Sequence, residues 1–438
     1  MMNRTKIACA VMTVYLGMCP VQLLAQQETA ANVASYDKDV EPSKSVGLLL
    51  DEQISAYFSS INATQGLPSA TGKTYYAATQ TVSVNPESPD FPKALQIAFD
   101  KAFNSARAEF VFDRFGRETS KTYADFYENG NSNKDEFNPE LCQKSKLEAI
   151  YDKIIALADS ELNQALEENG VDPAEFKATP ETARKDLFID KSIETITRKA
   201  SGDIVGILPV KSFYAVDNKG VPKVGVVMVY APDLVDVAID IRSDKIPSLR
   251  GKKPGKPISY YVSRPEAELI ANFGPRLVFD EQNRPVILGY AQWNSAYQGN
   301  DARQSERSRD AAFKKADMQA SQLITEFLSG KLSQQSEQIA GEYVHRFIET
   351  DCKSQGEQEI STLIDEYSSK MKITAAAKVT GSTVIKKWSL VNEYGGETIG
   401  VVRAWTPELS DLIQNESKVQ HKSKVNKSTG DLDPEESW

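Results

Sequence analysis

Phe213–Leu234 reads FYAVDNKGVPKVGVVMVYAPDL, and Trp388–Leu409 reads WSLVNEYGGETIGVVRAWTPEL. The two stretches align without a gap. Val216 meets Val391, Gly220 meets Gly395, and Gly225-Val226-Val227 meets Gly400-Val401-Val402. Pro232 meets Pro407 and Leu234 meets Leu409, which makes seven identities in 22 positions. Tyr230 against Trp405 adds an aromatic pair. Each stretch reads as a two-stranded hairpin. Gly220 and Gly395 sit where its turn needs a positive φ, and a proline ends the second strand.

The match continues upstream in the same order. Lys199-Ala200-Ser201-Gly202 pairs with Lys378-Val379-Thr380-Gly381, and Ala98-Phe99-Asp100-Lys101-Ala102 with Ala312-Phe313-Lys314-Lys315-Ala316. At that offset Ala106 meets Ala320 and Gly116 meets Gly330, and Ile54–Phe58 pairs with Leu269–Phe273. Four blocks in one order predict a duplication; convergence of common helix and hairpin patterns is the alternative. Each copy is expected to open with a short amphipathic helix, Leu48–Phe58 and Glu266–Phe273. Strand residues follow, at Tyr75–Val84 and in a hairpin over Leu277–Trp293 turning at Glu281–Arg284.

Alanines then recur every fourth residue, Ala94, Ala98, Ala102 and Ala106 in one copy and Ala312, Ala316 and Ala320 in the other. Such a flat stripe lets a long helix lie close to a sheet or another helix, and a packed core face is the reading it supports. A second helix is expected after each cysteine, Lys144–Glu168 and Glu357–Lys372. The fold class is therefore α+β: two tandem copies of a domain with long helices packed on a mainly antiparallel sheet. Repeat domain 1 is placed at 45–240, a linker at 241–259 around the basic, Gly/Pro-rich Arg250–Pro257, and repeat domain 2 at 260–412. The polar segments 26–44 and 413–438 are expected to be disordered.

The 438-residue chain, 40% hydrophobic and 26% charged, has an ordinary globular composition. Its N-terminus reads as a signal peptide spanning residues 1–25. Arg4 and Lys6 precede the mostly apolar Ile7–Leu16, and Ala25 offers a small residue at a cleavage site before Gln26. An uncleaved anchor is one alternative. Lipidation at Cys19 is another, although Met18 before it is not small. The net charge of −10, lowered by two more once Arg4 and Lys6 are removed, repels phosphate backbones, so no nucleic-acid partner is expected. No later segment is long and apolar enough to cross a bilayer.

Loss of the leader leaves Cys142 and Cys352, an even number in an oxidising compartment. Each falls between the long helix and the second helix of its copy. One cysteine per copy permits only a bond between copies. Two separate thiols are the other reading. No HExxH, CxxC, GxSxG, P-loop or GxGxxG pattern occurs, so no metal and no cofactor are expected. His345 sits in a helical stretch one turn before Glu349, with Asp351 near; a solvated i,i+4 pair is the reading it supports. His421 lies in the polar tail.

The alanine-spaced helix after a strand, over Tyr75–Gly116 and Gly289–Gly330 in an exported chain, resembles small envelope domains of Gram-negative lipoproteins and flagellar-assembly outer-membrane proteins. The chain lacks their clear lipobox, and the resemblance transfers no functional residue. As a whole it is more similar to duplicated, uncharacterised exported proteins of such bacteria. The resulting expectation is a non-catalytic envelope component, periplasmic or else secreted or outer-membrane-associated, that binds an envelope or secreted protein. The alternative is an envelope hydrolase whose active site the sequence does not identify.

Overall fold

The computed structural model describes residues 45–409 apart from 130–136, 218–219, 244, 246, 250–253, 298, 333, 354–355, 372, 376–380 and 393–394. The leader, segment 26–44, the tail with His421, and most of the basic cluster starting at Arg250 lie outside the described residues.

The first half opens with α1 (Val46–Ser60), capped by the Ser45 hydroxyl accepting from the Leu48 amide. Strand β1 (Thr74–Thr81) leads into α2 (Phe91–Asn129). Next come α3 (Gln143–Ile154), α4 (Asp159–Glu168), α5 (Pro173–Ala178) and α6 (Glu181–Gly202). The closing hairpin, β2 (Ile207–Val216) and β3 (Pro222–Tyr230), is followed by α7 (Pro232–Arg242). The second half begins with two short helices, α8 (Ile258–Val262) and α9 (Glu266–Leu269), then β4 (Gly274–Phe279) and β5 (Pro285–Asn294). It continues through α10 (Ala302–Ser329), β6 (Gly330–Leu332), α11 (Gln334–Asp351), α12 (Gly356–Lys370) and β7 (Ile373–Ala375). It ends on β8 (Ser382–Val391) and β9 (Glu397–Trp405).

The architecture is α+β, with long helices laid on antiparallel sheets. One sheet has the order β1-β3-β2 and the other β4-β5-β9-β8; β6 and β7 form a small separate pair. The closing hairpins share one register. Phe213 faces Gly225 as Trp388 faces Gly400, and Val216 faces Pro222 as Val391 faces Glu397. Both carry a register shift at the same aligned place, Pro209/Lys211 and Val384/Lys386. Gly220 and Gly395 have φ of +74° and +82°, the left-handed backbone that their turns require.

The alanine stripes are core. Ala98, Ala102 and Ala106 are buried, as are Ala312, Ala316 and Ala320. The stripe on α10 brings backbone against backbone: a Cβ on Gly289 of β5 would stand 2.5 Å from the Ala320 carbonyl oxygen. A continuous apolar cluster runs from Tyr76 through α2 to Tyr367 and Val401, and so draws on both halves. The two sheets meet at a buried polar seam. Arg276 of β4 donates to Ser212 Oγ of β2 (2.8 Å), and that hydroxyl donates to the Ala271 carbonyl (2.8 Å). Burial pulls the Arg276 guanidinium down to about 10.

Several sequence expectations need correction. Pro232 and Pro407 do not merely end strands: each opens a helical turn, where a missing N–H costs nothing. The helix expected over Lys144–Glu168 is two, α3 and α4, broken after Ile154. The helix expected over Glu266–Phe273 stops at Leu269, and Phe273, beyond it, stacks on Phe99 with ring centroids 5.4 Å apart. Gly116 lies inside α2, whereas its counterpart Gly330 ends α10 as β6 pairs with β7. Helix α11 stands between α10 and Cys352, while the longer α2 runs on past Gly116 to Asn129 ahead of Cys142, and each cysteine lies before the next helix, α3 or α12. The end of the expected linker is fastened down: the Gly255 amide donates to the Asp280 carbonyl (2.8 Å).

Candidate functional site

The structure joins Cys142, at the start of α3, to Cys352, just past α11; their Cα atoms are 5.1 Å apart across 210 residues of chain. Beside the bond, Asp351 accepts from the Gln143 amide (2.9 Å) at the α3 N-terminus. His345 pairs with Asp190 of α6, Nε2 to Oδ1 3.3 Å, and not with Glu349. Both side chains are well exposed. Among the described residues, no group of three or more His, Cys, Asp or Glu is placed to hold a metal ion. No helix among them is long and apolar enough to cross a membrane.

The chemistry-bearing site lies elsewhere, in a cleft of about 720 Å³ between α2 and α10. Its α2 wall is Asp100, Phe103, Asn104 and Arg107, a single helical face at i, i+3, i+4 and i+7. Its α10 wall is Lys315, Met318, Gln319, Gln322, Leu323 and Glu326, again one face. Trp293 from the end of β5 and Met371 from just beyond α12 close it. Each wall lies beside an alanine stripe. The stripes press α2 and α10 onto the sheets, and the adjoining polar faces are left to confront each other.

Arg107 is the group whose placement is hardest to explain by packing alone. It is 6% exposed, its guanidinium lies over the Phe103 ring at 5.9 Å, and its Nε is shut off from solvent with no acceptor. Burial pulls the guanidinium below its ordinary range, while Glu326 and Asp100 act against that. Asp100 accepts a hydrogen bond from Gln96 Nε2 (3.4 Å). Burial pushes its carboxyl up to about 7; Glu326 adds to the rise, and the Gln96 bond and Arg107 oppose it. Gln319 Oε1 is buried without a donor.

The rim is amphipathic. Lys315 Nζ sits 5.0 Å from the Trp293 ring centroid, Gln322 donates to Glu326 (2.6 Å), and Met318 is 72% exposed. The cleft thus offers a buried guanidinium, a carboxylate on each wall, and apolar surface between them. None of these residues stood out in the sequence as a site. Arg107 carried the one available signal, one of two charges, with Glu109, in the otherwise apolar stretch Ala106 to Phe112.

Residues 147–243 match a domain of unknown function (DUF6844). That segment runs from within α3 to just past α7, well under half the chain. The crystal structure of hypothetical protein FTT1539c from Francisella tularensis has a similar fold: TM-score 0.50 and 21% identity over 86% of this chain and 95% of that one. No curated protein matches the sequence. The chain thus shares its fold with an uncharacterised bacterial protein. Neither match is to an envelope lipoprotein or a flagellar-assembly domain.

Proposed function

We propose that this protein is an exported, non-catalytic component of the bacterial envelope, periplasmic in location, that acts by binding another envelope or secreted protein through the α2–α10 cleft. The leader-like N-terminus and the cysteine pair support export. The observation that carries the binding role is Arg107, buried at the cleft wall with no side-chain hydrogen bond or ion pair among the described residues. Leaving such a group unpaired costs about 1–3 kcal/mol, and a bound partner group would recover that cost. The rim of Met318, Trp293 and Lys315 has the mixed character of protein-recognition surfaces.

A hydrolase is the second reading. One observation favours it: Asp100, at about 7, faces Glu326 across the cleft, a pairing that could divide acid and base roles. Fractionation of the native host, followed by crosslinking through a photoreactive residue at Met318, tests the main reading. The expected result is a periplasmic protein crosslinked to one partner. A cytoplasmic location, or a partner captured equally by a probe remote from the cleft, refutes it. Turnover of a captured partner would favour the hydrolase.

A further inference from the structure

We infer that the cleft receives the C-terminal end of its partner, with the terminal carboxylate held by the Arg107 guanidinium. This rests on reading the cleft as the partner-binding site and specifies what part of the partner enters it. A guanidinium grips a carboxylate best through two parallel N–H groups. Arg107 lines the cleft, is buried, and makes no side-chain hydrogen bond or ion pair among the described residues. A peptide-chain end supplies such a carboxylate and brings apolar side chains and backbone amides with it.

The spacing fits. Asp100 and Arg107 are seven residues apart on α2, a rise of about 10 Å, and three residues of extended peptide span about 10 Å. With the carboxylate at Arg107, an upstream amide N–H comes level with Asp100. The side chains between them lie against Leu323, Met371 and Trp293. A volume of about 720 Å³ admits two or three residues, not a folded surface. The cleft contributes both charges itself, Arg107 and Lys315 against Asp100 and Glu326, so affinity depends on placement and not on net charge.

The test is calorimetric titration of the full-length protein with N-acetyl-trileucine, its C-terminal amide, and trileucine with a free amine. The acetyl group stands for the chain continuing upstream. The expected result is binding of the acetylated acid and a roughly ten- to hundredfold loss for the amide. Arg107→Gln should erase the difference between acid and amide, Arg107→Lys should restore part of it, and Lys315→Gln should leave it intact. The wild-type comparison stands even where a substitution at buried Arg107 harms folding. Equal binding of acid and amide overturns this inference and leaves the cleft a partner site. Loss of discrimination in Lys315→Gln moves the carboxylate to the rim and also overturns it. Binding much tighter for the free amine than for the acetylated acid identifies free oligopeptides as the ligand and overturns the protein-end assignment. Absence of binding by all three peptides overturns the inference, and crosslinking at Met318 then decides separately whether the cleft binds a partner at all.

Discussion

Asp100→Asn keeps the shape of the side chain and its contact with Gln96, and removes only the ability to ionise. In the folded chain, burial, reinforced by Glu326, raises this carboxyl from 3.8 to about 7. The unfolded chain ionises near the ordinary value. Between those limits the folded protein holds a proton that the unfolded chain has released. The stability of the wild type should therefore fall as pH rises through that window and then level off. The full excursion corresponds to about 4 kcal/mol. The carboxyl borders an open cleft where water relaxes the penalty, so about 2 kcal/mol is the working figure. Urea unfolding of both proteins from about pH 3, below the unfolded-state value, to about pH 8, with the disulfide intact, reads the effect. The two should agree at the acid end, and the variant should be the more stable by about 2 kcal/mol at the alkaline end. A difference that stays constant with pH would refute the reasoning, because it would show that burial does not hold the Asp100 carboxyl neutral.

Three further outcomes are expected. Cys142→Ser with Cys352→Ser opens a loop of 210 residues and should cost at most about 5 kcal/mol; unfolding should then match that of the reduced wild type, and non-reducing peptide maps should lose one linked pair. Gly400→Ala should cost about 3 kcal/mol, since its Cβ would lie 1.8 Å from the buried Trp388 indole, whereas Gly225→Ala, with only the tip of Ile54 at 3.3 Å, should cost under about 1 kcal/mol; equal costs measured by urea midpoints would contradict this. His345→Ala breaks an exposed pair with Asp190 and should change stability by under about 1 kcal/mol; a larger loss would mean that the contact anchors α11 to α6.

The parts of the fold that were legible are the local ones. The closing hairpins could be read because turn glycines and alternating apolar residues act over a dozen positions, and Gly220 and Gly395 have the backbone they were expected to have. The alanine stripes gave the long helices for the same reason. Long-range choices stayed hidden. Gly116 and Gly330 align, yet one lies within α2 and the other ends α10, because only the second has a strand, β7, to pair with. Ile155-Ala156-Leu157 has good helix-forming residues and still breaks the run from α3 to α4; nothing in the structure explains that break. The cleft was illegible because its walls lie some two hundred residues apart. Asp100, Asn104 and Arg107 taken alone read as a solvated helical face. They become a site only when the sheets bring α10 opposite.

The continuous core has a consequence for how this chain can be divided. The segment recognised as a domain, residues 147–243, begins inside α3 and carries β2 and β3 but neither β1 nor α2. Expressed alone, it would expose the face of β3 that α2 covers and leave the β1 edge of β3 unpaired, an open template for association. A cut in the connector fares no better, since Phe99 and Phe103 would lose Phe273. The stretch that sequence comparison isolates is thus a fragment of a core to which both halves contribute.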